Sequence, residues 1–186
     1  MTGPPARRRE GPGRVILRAP TLEDGPEFTA AMRASARHHR PWIAMPTTAD
    51  AYAAYVQRSG REGAEAFFAC RVEDGAIIGF FNISEIIRGK LQSAFLGYGG
   101  VARFAGQGYM TEGMELVLRE AFGRLRLHRL EANIQPGNLA SRALAERCGF
   151  RCEGFSPRYL KVGGRWRDHE RWAIVAEDYR ARRKRS

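Results

Sequence analysis

The chain has 186 residues, of which 44% are hydrophobic and 27% are charged, and it carries a formal net charge of +11. This length suits one domain with a full-sized core, and this composition is typical of a globular rather than a disordered chain. No apolar run approaches the roughly 20 residues that a transmembrane helix needs. Because the first residues also lack a secretory core, we expect a cytoplasmic protein with no membrane partner.

The excess positive charge is concentrated at the two ends of the chain. Residues 1–14 carry four arginines against one glutamate, and residues 179–186 carry five cations and no acid. We interpret residues 1–13 as a flexible basic segment, residues 14–178 as one folded domain and residues 179–186 as a basic tail. Basic tails favour weak contact with polyanions such as RNA.

Neither the cysteines nor the histidines indicate a metal site. Cys70, Cys148 and Cys152 form no C-x-x-C pair, which predicts buried thiols rather than a metal or disulfide framework. His38 and His39 are adjacent, but neighbouring side chains point in different directions and no third ligand is near in sequence. We therefore predict no metal.

The first half of the folded region contains two helical patterns and an antiparallel meander. A short strand is predicted at 14–18, and Thr21 with Asp24 resembles the start of a helix that runs to about residue 36. A second helix is predicted from residue 49 to about residue 61. Strand patterns at 66–72, 77–87 and 93–101 follow, joined by turns.

The second half is dominated by a long amphipathic helix. Apolar residues between 110 and 125 recur on one face of a helical period, directly after glycines 106 and 108. A strand at 129–134, a short helix at 139–148 that ends at Gly149, and a hairpin of strands at 150–161 and 165–174 complete the chain. This order predicts an α+β domain around one mixed, mostly antiparallel, seven-stranded sheet.

The loop before the long helix has the properties of an anion site. The first N–H groups of a helix lack intrahelical partners, the helix dipole is positive there, and glycine lets a phosphate approach the main chain. No Gly-Lys-Ser/Thr follows the glycines, and a third glycine is missing at the dinucleotide spacing. The loop is therefore neither a Walker loop nor a Rossmann fingerprint.

The loop reads Arg103-x-x-Gly106-x-Gly108 and resembles the R/Q-x-x-G-x-G/A signature of GNAT-superfamily N-acetyltransferases. Other stretches resemble the ribosomal-protein-alanine N-acetyltransferase branch in the same order, between residues 15 and 179. They are RPW at 40–42, NISEIIRG at 82–89, LGY at 96–98, HRL at 128–130, N-x-x-S at 138–141, GF at 149–150, EG at 153–154 and WRDH at 166–169.

The resemblance implies a single GNAT-type domain whose sheet splays between its fourth and fifth strands, with acetyl-CoA as co-substrate. The residues that it assigns to acetyl-CoA are Gly99, Gly100, Val101, Arg103, Gly106, Gln107, Gly108, Tyr109, Met110, Thr111, Asn138 and Ser141. Asn138 and Ser141 also suit the cap and first turn of a helix, and we weigh this structural role equally with the functional one.

Transfer of an acetyl group to an amine needs a neutral amine, a polarised carbonyl and a proton donor for the departing thiolate. Many GNAT enzymes have a tyrosine donor at the position of Ala145, so Ser141 is the remaining candidate. Glu85 is the candidate base, although an ordinary solvated strand residue is the simpler interpretation. The candidate acceptor-binding residues are Trp42, Asn82, Tyr98 and Tyr159.

The weak evidence for a base favours an acceptor that is easily deprotonated. An α-amino group with a pKa of about 8 is roughly one-tenth neutral at pH 7, whereas a lysine is well under a thousandth neutral. We therefore hypothesise acetylation of a protein N-terminus, such as the alanine of a ribosomal protein near the ribosome. The alternatives are an acetyltransferase for aminoglycosides, polyamines or amino acids, and a non-catalytic ribosome- or RNA-associated module.

Overall fold

The computed structural model describes residues 13–185, and its centre is a seven-stranded sheet in the order β1-β2-β3-β4-β5-β7-β6. The strands are β1 (Val15–Arg18), β2 (Glu65–Arg71), β3 (Ile77–Ile87), β4 (Ser93–Gly100), β5 (Arg129–Ile134), β6 (Arg151–Val162) and β7 (Arg165–Val175). All neighbours are antiparallel except β4 and β5, which are parallel. The predicted α+β class and mixed sheet are confirmed. Of the predicted N-terminal segment, residues 1–12 lie outside the described range.

The helices of the described range cover both faces of this sheet. They are α1 (Gly25–Ala34), α2 (Ala36–His39), α3 (Ala49–Ser59), α4 (Tyr109–Phe122), α5 (Leu139–Arg147) and α6 (Ala176–Arg185). The sequence predicted one helix up to residue 36, but Ser35 separates α1 from α2. Its buried hydroxyl accepts a hydrogen bond from the N–H of Ala102 at 3.0 Å. Between residues 13 and 185, no helix is long and apolar enough to span a membrane.

Two apolar cores lie on opposite faces of the sheet. On one face, α4 buries the stripe that its period predicted, and Met114, Val117, Leu118 and Ala121 are fully buried. On the other face, α1 and α3 enclose an aromatic cluster around Phe28. The ring of Phe28 lies 4.8–6.0 Å, centroid to centroid, from the rings of Tyr52, Tyr55, Phe68 and Phe80. The sheet is thus sandwiched between helices, and the functional groups must lie at its edges or openings.

The basic C-terminal segment forms α6, so helical structure continues beyond residue 178. Tyr179 is buried, and its ring centroid lies 5.2 Å from that of Phe122. Arg182 pairs with Glu115 of α4 at 2.6 Å. An apolar anchor and an ion pair therefore attach the first turns of this segment to the domain.

The prediction that all three cysteines are buried is only partly confirmed. Cys70 and Cys148 are buried, and burial raises the pKa of the Cys148 thiol to about 12, which makes it a poor nucleophile. The prediction is wrong for Cys152, which is exposed because it lies on β6, the edge strand of the sheet.

Candidate active site

A cleft opens where β4 and β5 separate. The two strands pair from Ser93 with Arg129 to Phe95 with Glu131, and the pairing ends there. Beyond this point the strands diverge around a cleft of about 950 Å³ that both of them line. The splay between the fourth and fifth strands is confirmed.

The end of β4 presents an unpaired edge to this cleft. The N–H of Val101 donates to the carbonyl of Ile78 on the β3 side, at 2.9 Å. Because peptide groups alternate in direction along an antiparallel strand, those of Tyr98 and Gly100 point toward the cleft. The carbonyl of Gly100 accepts a hydrogen bond from Nε2 of His39 at 2.9 Å. An extended ligand can therefore pair with this edge in place of a strand.

The glycine loop forms the mouth of the cleft. Gly106 and Gly108 have φ angles of 74° and 83°, in the left-handed region that glycine adopts without strain. Thr111 and Glu112 donate their N–H groups to the carbonyl of Gly108 at 3.0 and 3.2 Å. In the described part of the chain, no protein acceptor is paired with the N–H groups of Gly106, Gln107, Gly108, Tyr109 and Met110. These open donors lie where the sequence predicts an anion site.

Two arginines that the sequence analysis did not connect to the site flank this loop. The guanidinium of Arg14 donates from Nε to Glu112 at 2.8 Å and lies 4.6 Å from the centre of the Tyr109 ring. Arg147 of α5 approaches from the other side, with Nη1 3.4 Å from Oγ1 of Thr111. Both arginines line the cleft, so the mouth is positively charged.

We expect Arg14→Gln to weaken acetyl-CoA binding about fivefold, because the substitution removes a charge beside the phosphate site while the exposed position limits the effect. Calorimetry at two salt concentrations measures the change, which should shrink at high salt. Arg18→Gln is the matched control, since Arg18 lies four residues away at the end of β1 and also pairs with a carboxylate, Asp24. Equal affinity losses in the two variants would contradict a local role for Arg14.

Most residues assigned to acetyl-CoA line the cleft. They are Gly99, Gly100, Val101, Gly106, Gly108, Met110, Thr111, Asn138 and Ser141. The side chain of Arg103 instead turns outward and lies over the Phe104 ring, 4.6 Å from its centre. Gln107 donates its side-chain amide to the carbonyl of Arg103 at 3.0 Å, and Tyr109 is buried beneath Arg14. For Gln107 and Tyr109, only the main chain faces the anion site.

Asn138 and Ser141 have the capping role and also lie at the cleft. Oδ1 of Asn138 accepts the N–H of Ser141 at 3.2 Å, which caps α5. Tyr98 donates its hydroxyl to the carbonyl of Ser141 at 3.0 Å, and burial raises the Tyr98 pKa well above its usual value. Tyr98 lines the cleft, but its hydroxyl is bound to α5. Ala145 is fully buried, so position 145 belongs to the core.

Two predicted side chains lie away from the cleft. Glu85 is exposed, has a φ of 51°, and lies at an irregularity of β3 where β4 is still paired with β5. Asn82 turns toward α3, where its Oδ1 accepts the Tyr55 hydroxyl at 2.7 Å. The structure therefore does not bring Glu85 or Asn82 to the opening between the strands.

The wall opposite the glycine loop carries an aromatic side chain and two buried histidines. Trp42 lines the cleft, and its carbonyl accepts a hydrogen bond from Nε2 of Gln135 at 3.1 Å. His39 and His169 also line it, and burial lowers the pKa of His39. The ring of Tyr159 packs edge-on against His169 with centroids 6.3 Å apart. The sequence signals for these histidines were the HHRPW and WRDH stretches, to which no role was given.

The charges of the lining are distributed unevenly. It contains Arg14, Arg147 and three histidines, whereas Glu112 is the one carboxylate among the described lining residues. This carboxylate pairs with Arg14 at the mouth. Across residues 13–185, no group of three or more histidine, cysteine, aspartate or glutamate side chains is placed to hold a metal.

Two parallel strands separate next to a helix N-terminus whose amides are unpaired. This arrangement is typical of an acetyltransferase-type fold that binds an anion at the opening. The family model described as an acetyltransferase (GNAT) domain matches residues 14–151, and the chain therefore belongs to the GNAT acetyltransferase family.

Three comparisons place the chain within this family. It is 39% identical over 124 residues to the probable N-acetyltransferase YjcK of Bacillus subtilis (strain 168), covering 67% of this chain and 68% of that protein. It is 35% identical over 107 residues to the ribosomal protein uS5-alanine N-acetyltransferase of Escherichia coli (strain K12), covering 58% of this chain and 55%, about half, of that relative. The structure of Mycobacterium smegmatis RimJ in complex with CoA-disulfide matches with a TM-score of 0.81 and 32% identity, covering 88% of this chain and 82% of that one.

Proposed function

We propose that the protein transfers the acetyl group of acetyl-CoA to the N-terminal amine of a protein, with the alanine of a ribosomal protein as the expected acceptor. The observation that carries the proposal is the set of unpaired amides at residues 106–110 beside the separated strands. The acceptor is supported by the Escherichia coli relative, which is named a ribosomal protein uS5-alanine N-acetyltransferase.

The residues of the cleft fit a coenzyme A tail. A pyrophosphate matches the unpaired amides and the flanking charges of Arg14 and Arg147. The approach is clear, because a Cβ placed on Gly106 meets no atom within 4 Å. The amide-containing pantetheine arm suits the open β4 edge at Tyr98 and Gly100. When bound, acetyl-CoA supplies the thioester carbon that the acceptor amine attacks.

Ser141 is the group of this chain that can assist the departing thiolate. It lines the cleft on the first turn of α5, and the Asn138 cap fixes its main chain. Its hydroxyl can donate a hydrogen bond or a proton where negative charge develops on sulfur.

We expect Ser141→Ala to lower kcat about 100-fold with little change in acetyl-CoA affinity, because the lost interaction forms only as charge develops. Steady-state kinetics together with calorimetry measure both quantities. An unchanged kcat would show that water, rather than Ser141, protonates the thiolate.

The charge of the lining favours a protein N-terminus over a polyamine. A polyamine carries further ammonium groups that need anionic partners. The one carboxylate of the described lining, Glu112, pairs with Arg14 at the phosphate end. A peptide N-terminus brings a single amine, which needs no additional carboxylate. Membership of the GNAT family and the open anion site also argue against a non-catalytic module.

The test compares acceptors in a thiol-release assay with mass spectrometry of the products. A peptide with a free N-terminal alanine should exceed spermidine, an aminoglycoside and free alanine in kcat/KM by about 100-fold or more, and the same peptide with a blocked N-terminus is the control. Faster transfer to spermidine would support the small-molecule alternative. Coenzyme binding without transfer, together with salt-sensitive ribosome binding, would support the non-catalytic module.

A further inference from the structure

Asn133 and His169 lie side by side in the part of the cleft lining that also includes His39 and Trp42, which we call the acceptor wall. Asn133 of β5 is opposite Arg171 of β7 in the antiparallel register, and alternate side chains of a strand share a face. Asn133 and His169 are therefore diagonal neighbours on one face, and both line the cleft. Gln135, two residues further along the chain and just beyond β5, donates its side-chain amide to the carbonyl of Trp42.

The hydrogen bond made by the His169 ring determines which of its two nitrogens carries the hydrogen when the ring is neutral. His169 is 3% exposed, and its Nδ1 lies 2.9 Å from the carbonyl oxygen of Arg167. A carbonyl oxygen only accepts, so Nδ1 carries the hydrogen and Nε2 carries the lone pair. The edge-on Tyr159 ring restricts the rotation of the imidazole. His169 thus brings a fixed, unprotonated nitrogen to a cleft-lining position.

The neighbouring amide supplies a second acceptor. Oδ1 of Asn133 is buried and has no hydrogen-bond partner among the described residues. A buried amide oxygen without a donor destabilises the fold, and such atoms commonly have a ligand or water partner. A ligand donor in the cleft would satisfy Oδ1 of Asn133.

We propose that Asn133 Oδ1 and His169 Nε2 bind the two N–H groups of the acceptor amine, and that His169 is the general base of the reaction. The inference rests on the proposed acetyl transfer and adds the amine site and the base to it. A neutral primary amine has two N–H groups and one lone pair. Two acceptors on one wall orient both N–H groups and leave the lone pair free to attack.

The proton and electron balance of the step uses groups already described. The amine nitrogen forms its bond to the thioester carbon, and the carbon–sulfur bond breaks. One amine proton passes to Nε2 of His169 and later to solvent. The thiolate takes a proton from the hydroxyl of Ser141, which recovers one from solvent. No oxidant, reductant or metal is needed.

The titratable groups around His169 are either cationic, aromatic or already paired, and His169 is therefore the base that we assign on the acceptor wall. They are Arg167, Asp168, Glu170 and Arg171 on β7, Arg158 and Tyr159 on β6, and His38 and His39 in the cleft lining. Asn133 of β5 and Gln135, just beyond that strand, are the neutral polar residues that β5 and its end contribute to the lining. Asp168 accepts the N–H of Arg158 at 2.7 Å, and Glu170 pairs with Arg142 at 3.0 Å. Both adjacent carboxylates are therefore bound to other groups.

His39 has a different place in the cleft. Its Nε2 donates to the carbonyl of Gly100, so it stabilises the open edge of β4. Asn133, whose Oδ1 has no partner among the described residues, instead lies on the same face of the sheet as His169 of β7. This difference selects His169 as the base and leaves His39 a positioning residue.

The test measures the pH dependence of kcat/KM for an N-terminal alanyl peptide in the wild type and in His169→Asn. Asparagine retains a donor for the Arg167 carbonyl but has no Nε2. We expect kcat to fall about 100- to 10,000-fold, the acid limb of the profile to disappear, and acetyl-CoA affinity to change less than about twofold. An acid limb that persists in this variant would overturn the assignment.

Two further variants separate the base from its surroundings. Asn133→Ala is expected to raise the KM for the peptide about tenfold while the acid limb remains, because it removes binding but not proton transfer. His128→Asn is the matched control, since His128 lies outside the cleft, half-exposed and paired with Glu177. Its profile should match the wild type, and loss of the acid limb in this control would overturn the assignment to His169.

A second measurement does not depend on turnover. Nitrogen-15 spectra of the His169 ring should show an unprotonated Nε2 whose resonance shifts when alaninamide is added. A neutral ring with its hydrogen on Nε2, or no response to the amine, overturns the proposal. An Nε2 that binds alaninamide in a protein that transfers no acetyl group would overturn the proposed function while supporting the amine site.

Discussion

Gly108→Val is expected to weaken acetyl-CoA binding by about 100-fold or more. Gly108 is the N-terminal cap of α4, with a φ of 83°, and its N–H is one of the unpaired donors of the loop. A Cβ placed on Gly108 lies 3.3 Å from Nη2 of Arg14, at the mouth where we propose that the phosphate approaches. Each main-chain hydrogen bond to a charged group contributes about 1.5–3 kcal/mol, so losing two of them accounts for a change of this size.

The control for this variant separates backbone strain from ligand contact. A β-branched residue in the left-handed region costs about 1–2 kcal/mol of stability wherever it is placed. Gly63 has a φ of 80° and open space around its Cβ position, and it lies outside the cleft. Gly63→Val should therefore lose similar stability but retain acetyl-CoA affinity in calorimetry. Comparable affinity losses in both variants would show that strain, not the anion site, explains the effect.

Phe28→Ala is expected to destabilise the fold by about 3–5 kcal/mol, the usual cost of removing a fully buried phenylalanine. Phe28 is 0% exposed and contacts four aromatic rings between α1, α3 and the sheet. For a domain of this size the loss corresponds to a fall in Tm of roughly 6–20 °C. Thermal unfolding measures it, with exposed Leu22→Ala as the control, expected within about 0.5 kcal/mol of the wild type.

This aromatic cluster also supports the acceptor wall, since α1 and α2 carry the chain to His39 and Trp42. A Phe28→Ala protein studied below its Tm should therefore lose acceptor affinity before coenzyme affinity. Retention of both affinities would indicate that the packing of α1 and α3 on the sheet is not needed to position the acceptor wall.

The regular elements were predictable because their patterns are local. Strands β3 and β5 begin and end where periodicity predicted, and the buried face of α4 is the apolar stripe of its sequence. The glycine loop was also predictable, because a helix N-terminus lacks partners for its first amides in any fold. The left-handed Gly149 at the end of α5 follows the same logic.

The remaining features depend on contacts between distant residues. Arg14 and Glu112 are 98 positions apart, and no local pattern links them. Asn133 and His169 become neighbours only through the register of β5 and β7. Glu85 appeared suitable as a base because it lies on the strand before β4, but it lies beside the stretch in which β4 and β5 are still paired. The α6 helix was missed because its composition is highly charged, and the buried Tyr179 is its main apolar anchor.

Titration of acetyl-CoA into nitrogen-15-labelled protein is the most direct measurement of the central claim, that the amides at the start of α4 hold the coenzyme's pyrophosphate. The amide protons of residues 106–110 should move downfield together and saturate at micromolar ligand, as expected for hydrogen bonds to phosphate. Saturable binding that leaves these five amides unshifted, or no binding at all, would contradict the account.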